Sequence, residues 1–217
     1  KEKERQEKDG KSLVNADHPQ VIEIWNIVFI QYNRKSNRTL ESLPETHVDT
    51  GMGLERLAMA LQGKQSNYDI DIFQSLIHKI ETISSYTYRQ NETTDIALRV
   101  ISDHVRAIAF AIADGQIPSN NGAGYVIRRI LRRALKYAYQ NLELKQPFLG
   151  DLVTVLIAEM GDTYPELKNQ EKIICKVIKE EETSFFRTLE QGIKRIEQLI
   201  TDVKSKGEIT IEGTDVF

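Results

Sequence analysis

A single cysteine, Cys175, stands in the 217 residues, so no internal disulfide can form. That composition suits a reducing, cytosolic setting, with Cys175 a helix-face residue. No apolar run is long enough to span a bilayer, and no secretory signal opens the chain. The histidines, His18, His47, His78 and His104, are scattered, and none stands beside a second His or Cys at ligand spacing. No zinc site is expected, and the Asp103-His104-x-Arg106 segment reads as a satisfied core or interhelix histidine. Gly-x-Ser-x-Gly, a P-loop and a Cys–His pairing are all missing, which removes the usual marks of nucleophilic catalysis. Charge of one sign is lacking too: 29 Lys and Arg against 32 Asp and Glu leave a net charge of −3. Any basic surface for a polyanion must therefore be local.

What is present changes character along the chain. Residues 1–19 are polar and charge-rich, and read as a mobile segment or surface insertion. Residues 20–33 are rich in β-branched and aromatic side chains, which predicts a strand largely buried in its middle. A turn-like stretch, 34–45, leads to a second strand over 46–53, antiparallel to the first, and a helix from Leu54 to about Gly63. Beyond, the pattern is helical: 68–83, 93–114, a loop over 116–124, then 125–141 and 148–160. Residues 165–204 read as one long helix, or two with a break near Gly192, and 207–217 as a short strand or strand pair. The expected class is α+β, mostly α, with a domain boundary near residue 65. A start at Lys1 and an end at Phe217 in an apolar run lead us to expect a piece of a longer polypeptide.

Residues 48–57, Val-Asp-Thr-Gly-Met-Gly-Leu-Glu-Arg-Leu, are hard to explain as packing alone. Alternating glycines weaken a strand unless something lies against its backbone. A glycine-rich strand entering a helix that opens with Glu-Arg makes a reasonable nucleotide wall, with phosphates meeting Arg56 and free N–H groups. The alternative is a tight strand-to-helix connection with no ligand. In the preceding strand, Asn26, Val28 and Ile30 alternate with Trp25, Ile27 and Phe29. If Asn26 and Val28 face Asp49, they frame a small pocket. Its acid can hold an ammonium, and its amide can donate to a carboxylate. Otherwise Asn26 faces solvent and Val28 fills core.

The helix over 125–141 places Arg128, Arg132 and Lys136 on one line and Arg129 and Arg133 on the next. Like charges at that spacing cost a helix a few tenths of a kcal/mol per pair, about 0.2–0.5. Phosphate offsets this well, because Arg forks match its geometry. Pairing with acids such as Asp103 and Asp114 on the preceding helix would also offset it. Before this helix, Pro118-Ser-Asn-Asn-Gly-Ala-Gly-Tyr is rich in amides and permissive backbone. Asn120 and Asn121 can read base edges, in an RNA duplex through the shallow minor groove. The alternative is an ordinary helix-opening turn with an Asn cap.

Taken together, these segments resemble a known family. Asp49-Thr-Gly-Met-Gly-Leu-Glu-Arg56 resembles motif 3 of class II aminoacyl-tRNA synthetases, in the alanyl-tRNA synthetase form. Glu23-Ile-Trp-Asn-Ile-Val-Phe29 and Gln31-Tyr-Asn-Arg34 are similar to the strand before it. Asn67–Phe73, Arg99–Arg106, Ala113–Asn120, Gly124–Arg133 and Glu180–Gly192 continue the likeness. The resemblance implies that 1–65 are the C-terminal part of the class II catalytic domain, a remnant of its antiparallel sheet. Residues 66–217 would be the helical tRNA-recognition domain.

It implies an activity as well. In that family alanine is activated by ATP and passed to the terminal ribose of its tRNA. Asp49 would hold the alanine ammonium and Asn26 its carboxylate. Val28 and Gly51 would limit the pocket to about a methyl. Gly53 would lie under the nucleotide and Arg56 would bind ATP phosphate. Asn120 would read the wobble pair of the tRNA(Ala) acceptor stem, with Arg128, Arg129, Arg132 and Arg133 on phosphates. Magnesium would accompany ATP. One methyl separates alanine from glycine by only about 1 kcal/mol or a little more. The family therefore adds an editing domain, but nothing here resembles that domain or its zinc ligands. Motifs 1 and 2 are missing, and Ala123 stands where the family often has Arg. The chain is therefore expected to be silent alone and to need the rest of its polypeptide. Without the resemblance, a helical RNA-binding module or a purely structural helical protein stays open.

Overall fold

Two antiparallel strands come first and a helical assembly follows. The computed structural model describes residues 9–16, 18, 21–205, 207, 209–211 and 213–216. The described residues divide between Asp71 and Ile72 into two compact units. Much of the segment expected to be mobile lies outside the described residues; within it, Gly10–Leu13 form a 3-10 turn opened by the Asp9 side chain.

In the first unit, β1 (Trp25–Arg34) and β2 (Leu40–Met52) form a two-stranded ribbon. β2 begins earlier than the sequence suggests, and only Lys35–Thr39 turn the chain. Pairing is regular from Trp25↔Met52 to Ile30↔His47, then slips before Tyr32↔Ser42. Pro44 lies in the skipped stretch, where a residue without an N–H cannot serve the ladder. The buried middle expected of β1 is not found. All its residues except Ile30 are exposed, including Phe29 at 76%. Its β-branched and aromatic residues suit a covered strand, but among the described residues only β2 pairs with it. A Gly53 N-cap then opens α1 (Leu54–Leu61), and Gly63, at φ +64°, follows its end.

In the second unit, α2 (Asp71–Ser84) buries Phe73, Leu76, Ile77 and Ile80 at helical spacing. The 3-10 turn Asn67–Asp69 precedes it, with Ser66 accepting the Tyr68 amide. α3 (Glu92–Ala113) is the central helix, opened by Asn91, whose side chain accepts the Thr93 amide at 2.8 Å. Its buried Leu98, Ile101, Val105, Ile108 and Ile112 recur at helical spacing. Around it pack α4 (Gly122–Asn141), α5 (Leu149–Met160), α6 (Pro165–Asn169) and α7 (Glu171–Ser205).

The break in the late helical stretch falls at Gln170, between α6 and α7, and not at Gly192, through which α7 runs on. Pro165 starts α6 because its missing N–H costs nothing in a first turn. The strand expected over 207–217 is not found among the described residues. Ile209 is 98% exposed, and Gly213–Val216 form a short helix, α8. β-branched residues without a neighbouring strand have no ladder to join.

Candidate functional site

Two groups of side chains, one in each unit, carry the chemistry. On the ribbon, Asn26 pairs with Gly51 and Val28 with Asp49. Directly opposed residues project to the same side of an antiparallel pair, and so do residues two apart. Asn26, Val28, Asp49 and Gly51 therefore share one face, while Trp25, Ile27, Phe29, Val48, Thr50 and Met52 share the other. The far face is tied by the Trp25 indole N–H, which donates to Thr50 Oγ1, and by Thr50 Oγ1 donating to the Asn26 carbonyl at 2.8 Å.

On the near face, Asp49 accepts the Thr50 amide at 2.8 Å and is otherwise exposed. Asn26 Nδ2 donates to Glu23 Oε1 at 3.1 Å, which turns its Oδ1 toward Gly51. A Cβ at Gly51 would lie 3.2 Å from that oxygen. Gly51 therefore keeps the floor of this face low. Arg56, in the first turn of α1, reaches back so that Nη1 donates to the Glu23 carbonyl at 2.7 Å. Its aliphatic stem covers Gly53, 3.3 Å from where a Cβ would stand. The Gly53 amide is not among the free N–H groups, since it donates to the Ile24 carbonyl at 3.1 Å. The Arg56 guanidinium is the cationic group at this end of the ribbon.

In the helical unit, the loop before α4 is drawn onto the helix. Ser119 N donates to the Gly124 carbonyl at 3.0 Å, and Ser119 Oγ donates to the Asn121 carbonyl at 2.8 Å. Gly124 permits this: a Cβ there would overlap the Ile117 carbonyl and Ser119 Oγ, and stand 2.9 Å from Ser119 Cβ. Asn121 holds the N-cap position but makes no side-chain cap bond, contrary to the simple capping alternative.

The four arginines part company. Arg129, Arg132 and Arg133 are exposed and, among the described residues, form no ion pair. Arg132 lies over the Phe185 ring at 5.8 Å, and Arg133 over Tyr137 at 6.0 Å. Arg128 differs from the other three. Its side chain is only 19% exposed. Nη1 donates to Asn120 Oδ1, and Nη2 donates to Glu181 Oε1 at 2.5 Å, with the Pro118 carbonyl at 3.5 Å. The partner acid comes from α7, not from Asp103 or Asp114.

Glu181 and its neighbour Glu182 are the residues that sequence reasoning missed. A signal existed. Ile174, Ile178 and Phe186 are buried four residues apart or in step with that spacing, and Glu182 falls on the same line. Glu182 is buried and caps α5, accepting the amides of Phe148 and Leu149 at 3.0 and 3.1 Å. Burial, the largest influence, pushes its carboxyl up to about 7 against the pull of those amides.

His104 departs from the satisfied core histidine expected. Nδ1 lies 3.0 Å from Asp103 Oδ2, but Nε2 is buried without a hydrogen-bond partner. Cys175 is half-buried beside the Gly150 carbonyl, and burial raises its thiol. Among the described residues no group of three or more His, Cys, Asp or Glu could hold a metal ion. Among the described residues no helix is long and apolar enough to cross a membrane.

Comparison with known proteins agrees with this arrangement. The family model described as tRNA synthetases class II (A) matches residues 1–217. An alanine–tRNA ligase of Bacteroides fragilis is 59% identical over 214 residues, covering 99% of this chain and 24% of that protein. The ligase of Flavobacterium psychrophilum is 56% identical over 223 residues, covering 99% and 25%. That of Christiangramia forsetii is 57% identical over 216 residues, covering 100% and 24%. The chain thus spans about a quarter of the length of the curated relatives it matches. With a glycine-bearing ribbon leading into a helix-borne Arg56, and a family match along its whole length, the chain belongs to the class II tRNA synthetases.

Proposed function

We propose that this chain is part of a cytoplasmic alanine–tRNA ligase, which activates alanine with ATP and transfers it to the 3′ end of tRNA(Ala). In this reading, 1–65 are the C-terminal part of the catalytic domain and 66–217 the helical tRNA-recognition domain. The observation that carries it is the register Asn26↔Gly51 and Val28↔Asp49. That register gathers an acid, an amide, a small apolar side chain and a glycine on one face, the set an α-amino acid with a methyl side chain requires. Asp49 pairs with the ammonium, Asn26 meets the carboxylate, and Val28 and Gly51 bound the methyl. Arg56 takes an ATP phosphate, and Gly53 lies beneath the nucleotide.

Asn120 faces the acceptor stem, and Arg129, Arg132 and Arg133 supply phosphate contacts whose release of counterions makes binding salt-dependent. Magnesium would arrive with ATP. The zinc of the family's editing domain is not expected in this chain.

Motifs 1 and 2, in the remainder of the polypeptide, complete the site, and the editing domain stands apart from it. The 217-residue chain alone should therefore show no alanine-dependent ATP–pyrophosphate exchange, while the full-length polypeptide should show it and lose it on Asp49→Ala. Exchange by the isolated chain, or full activity in the Asp49→Ala polypeptide, would overturn the reading.

A further inference from the structure

We infer that Glu181 is a positioning residue: it fixes, through Arg128, which end of the Asn120 amide faces an RNA acceptor stem. The inference rests on the reading of Asn120 given above and goes beyond it. A guanidinium has only donors. When Arg128 Nη1 donates to the Asn120 side chain, the amide must present its oxygen inward and its Nδ2 outward. Asn120 itself is exposed, so what it offers to solvent is a donor. A duplex RNA minor groove shows acceptors at pyrimidine O2 and purine N3, the guanine N2 amino donor, and hydroxyls at the riboses. A fixed Nδ2 bonds the acceptors and hydroxyls but not the amino group, so it reads where the pair places them. An amide free to flip would offer oxygen and nitrogen alike, and select less.

Arg128 cannot hold that pose unaided. Its other terminal nitrogen is held by Glu181 at 2.5 Å, with Glu181 only 15% exposed. The carboxylate supplies the counter-charge that an enclosed guanidinium needs, and a charge-assisted bond restrains its direction. The Pro118 carbonyl, 3.5 Å from Nη2, sits two residues before Asn120, so the same group touches the loop twice. Glu181 lies on α7, 53 residues beyond Arg128. A helix that carries no base-reading residue thereby sets the reader.

The test uses this chain with two labelled acceptor-stem minihelices, one carrying the wobble pair and one a Watson–Crick pair in its place. The wild-type chain should prefer the wobble duplex, and Asn120→Ala should erase the preference. Glu181→Ala should also collapse it, by roughly three- to tenfold, the range of one hydrogen bond. Affinity for the Watson–Crick duplex should stay within about twofold, because phosphate contacts are untouched. Glu181→Gln, which keeps an acceptor but not the charge, should fall between. Adding Glu181→Ala to Asn120→Ala should change nothing further.

A preference that survives Glu181→Ala overturns the proposal while leaving Asn120 in place. So does a parallel loss of affinity for both duplexes, which would make Glu181 merely structural. If Glu181→Ala does not fold, Glu181→Gln decides, and an unchanged preference in that variant overturns the proposal. A wild-type chain without preference, or one whose preference survives Asn120→Ala, overturns the Asn120 reading itself and this inference with it.

Discussion

Glu182 Oε1, on α7, accepts the backbone amide of Phe148 at 3.0 Å, and so closes the open start of α5 from a helix 34 residues further along. The carboxylate is buried, and its Oε2 finds no hydrogen-bond partner. Desolvation lifts its pKa to about 7, Asp151 adds to the lift, and the Phe148 and Leu149 amides and Lys179 oppose it. The folded value lies above the ordinary 4.5. The stabilisation is thus complete below about 4.5 and is lost as pH rises through about 7. Between pH 5 and 8 the wild-type helical unit should lose up to about 3 kcal/mol, near 10 °C in Tm, relative to Glu182→Gln. Melts followed by circular dichroism at the two pH values check this; parallel curves for the two proteins would refute it.

Two glycines in helices should behave in opposite ways. Gly124→Ala forces a methyl against the Ile117 carbonyl and Ser119. It should cost about 1–3 kcal/mol and loosen the Asn120 loop. Gly192, in the middle of α7, has nothing within 4 Å of a built Cβ. Gly192→Ala should stabilise by about 0.5–1 kcal/mol, since Gly is a poor helix former. Denaturant unfolding of the two variants provides the comparison.

Salt dependence should separate the arginines. Arg129→Gln, Arg132→Gln and Arg133→Gln should each lower the slope of log affinity against log salt by about 1 for an acceptor minihelix. Arg128→Gln should leave the slope unchanged, because its guanidinium is spent on Asn120 and Glu181. Titrations at several salt concentrations measure both.

On the ribbon, Asp49→Asn in the full-length polypeptide should raise the alanine KM by roughly 10- to 100-fold, the value of a charge-assisted bond. The KM for ATP should move little. Gly51→Ala brings a methyl 3.2 Å from Asn26 Oδ1, and should penalise alanine more than glycine. Pyrophosphate exchange with each amino acid is the measurement. Equal effects on alanine and ATP would remove these two residues from the amino-acid pocket.

Local chemistry was readable in advance. The apolar spacing of α2 follows from near neighbours in sequence, as does the Leu54 start after Gly53. Alternation along 25–30 also separated the Asn26–Val28 set from the Trp25–Phe29 set correctly. The failures are instructive in the same terms. Ile209, Thr210 and Ile211 have strand propensity, but among the described residues no strand pairs with them. Gly192 looked like a break, yet the helix on either side carries it through, while Gln170 ends α6 where the chain turns into α7.

The sequence by itself determined most of the helices, the strand pair, the sharing of one ribbon face and the presence of a basic helix. Those depend on the periods of helix and strand, which any short window contains. Only the tertiary structure decided which arginine is free. Arg128 and Arg132 stand one turn apart on the same line of α4. One is enclosed by Glu181 and the other lies exposed over Phe185. Burial and counter-charge come from a helix some fifty residues away, and no local pattern contains that distance. The cost of leaving an enclosed charge unpaired then makes the Glu181 partnership obligatory.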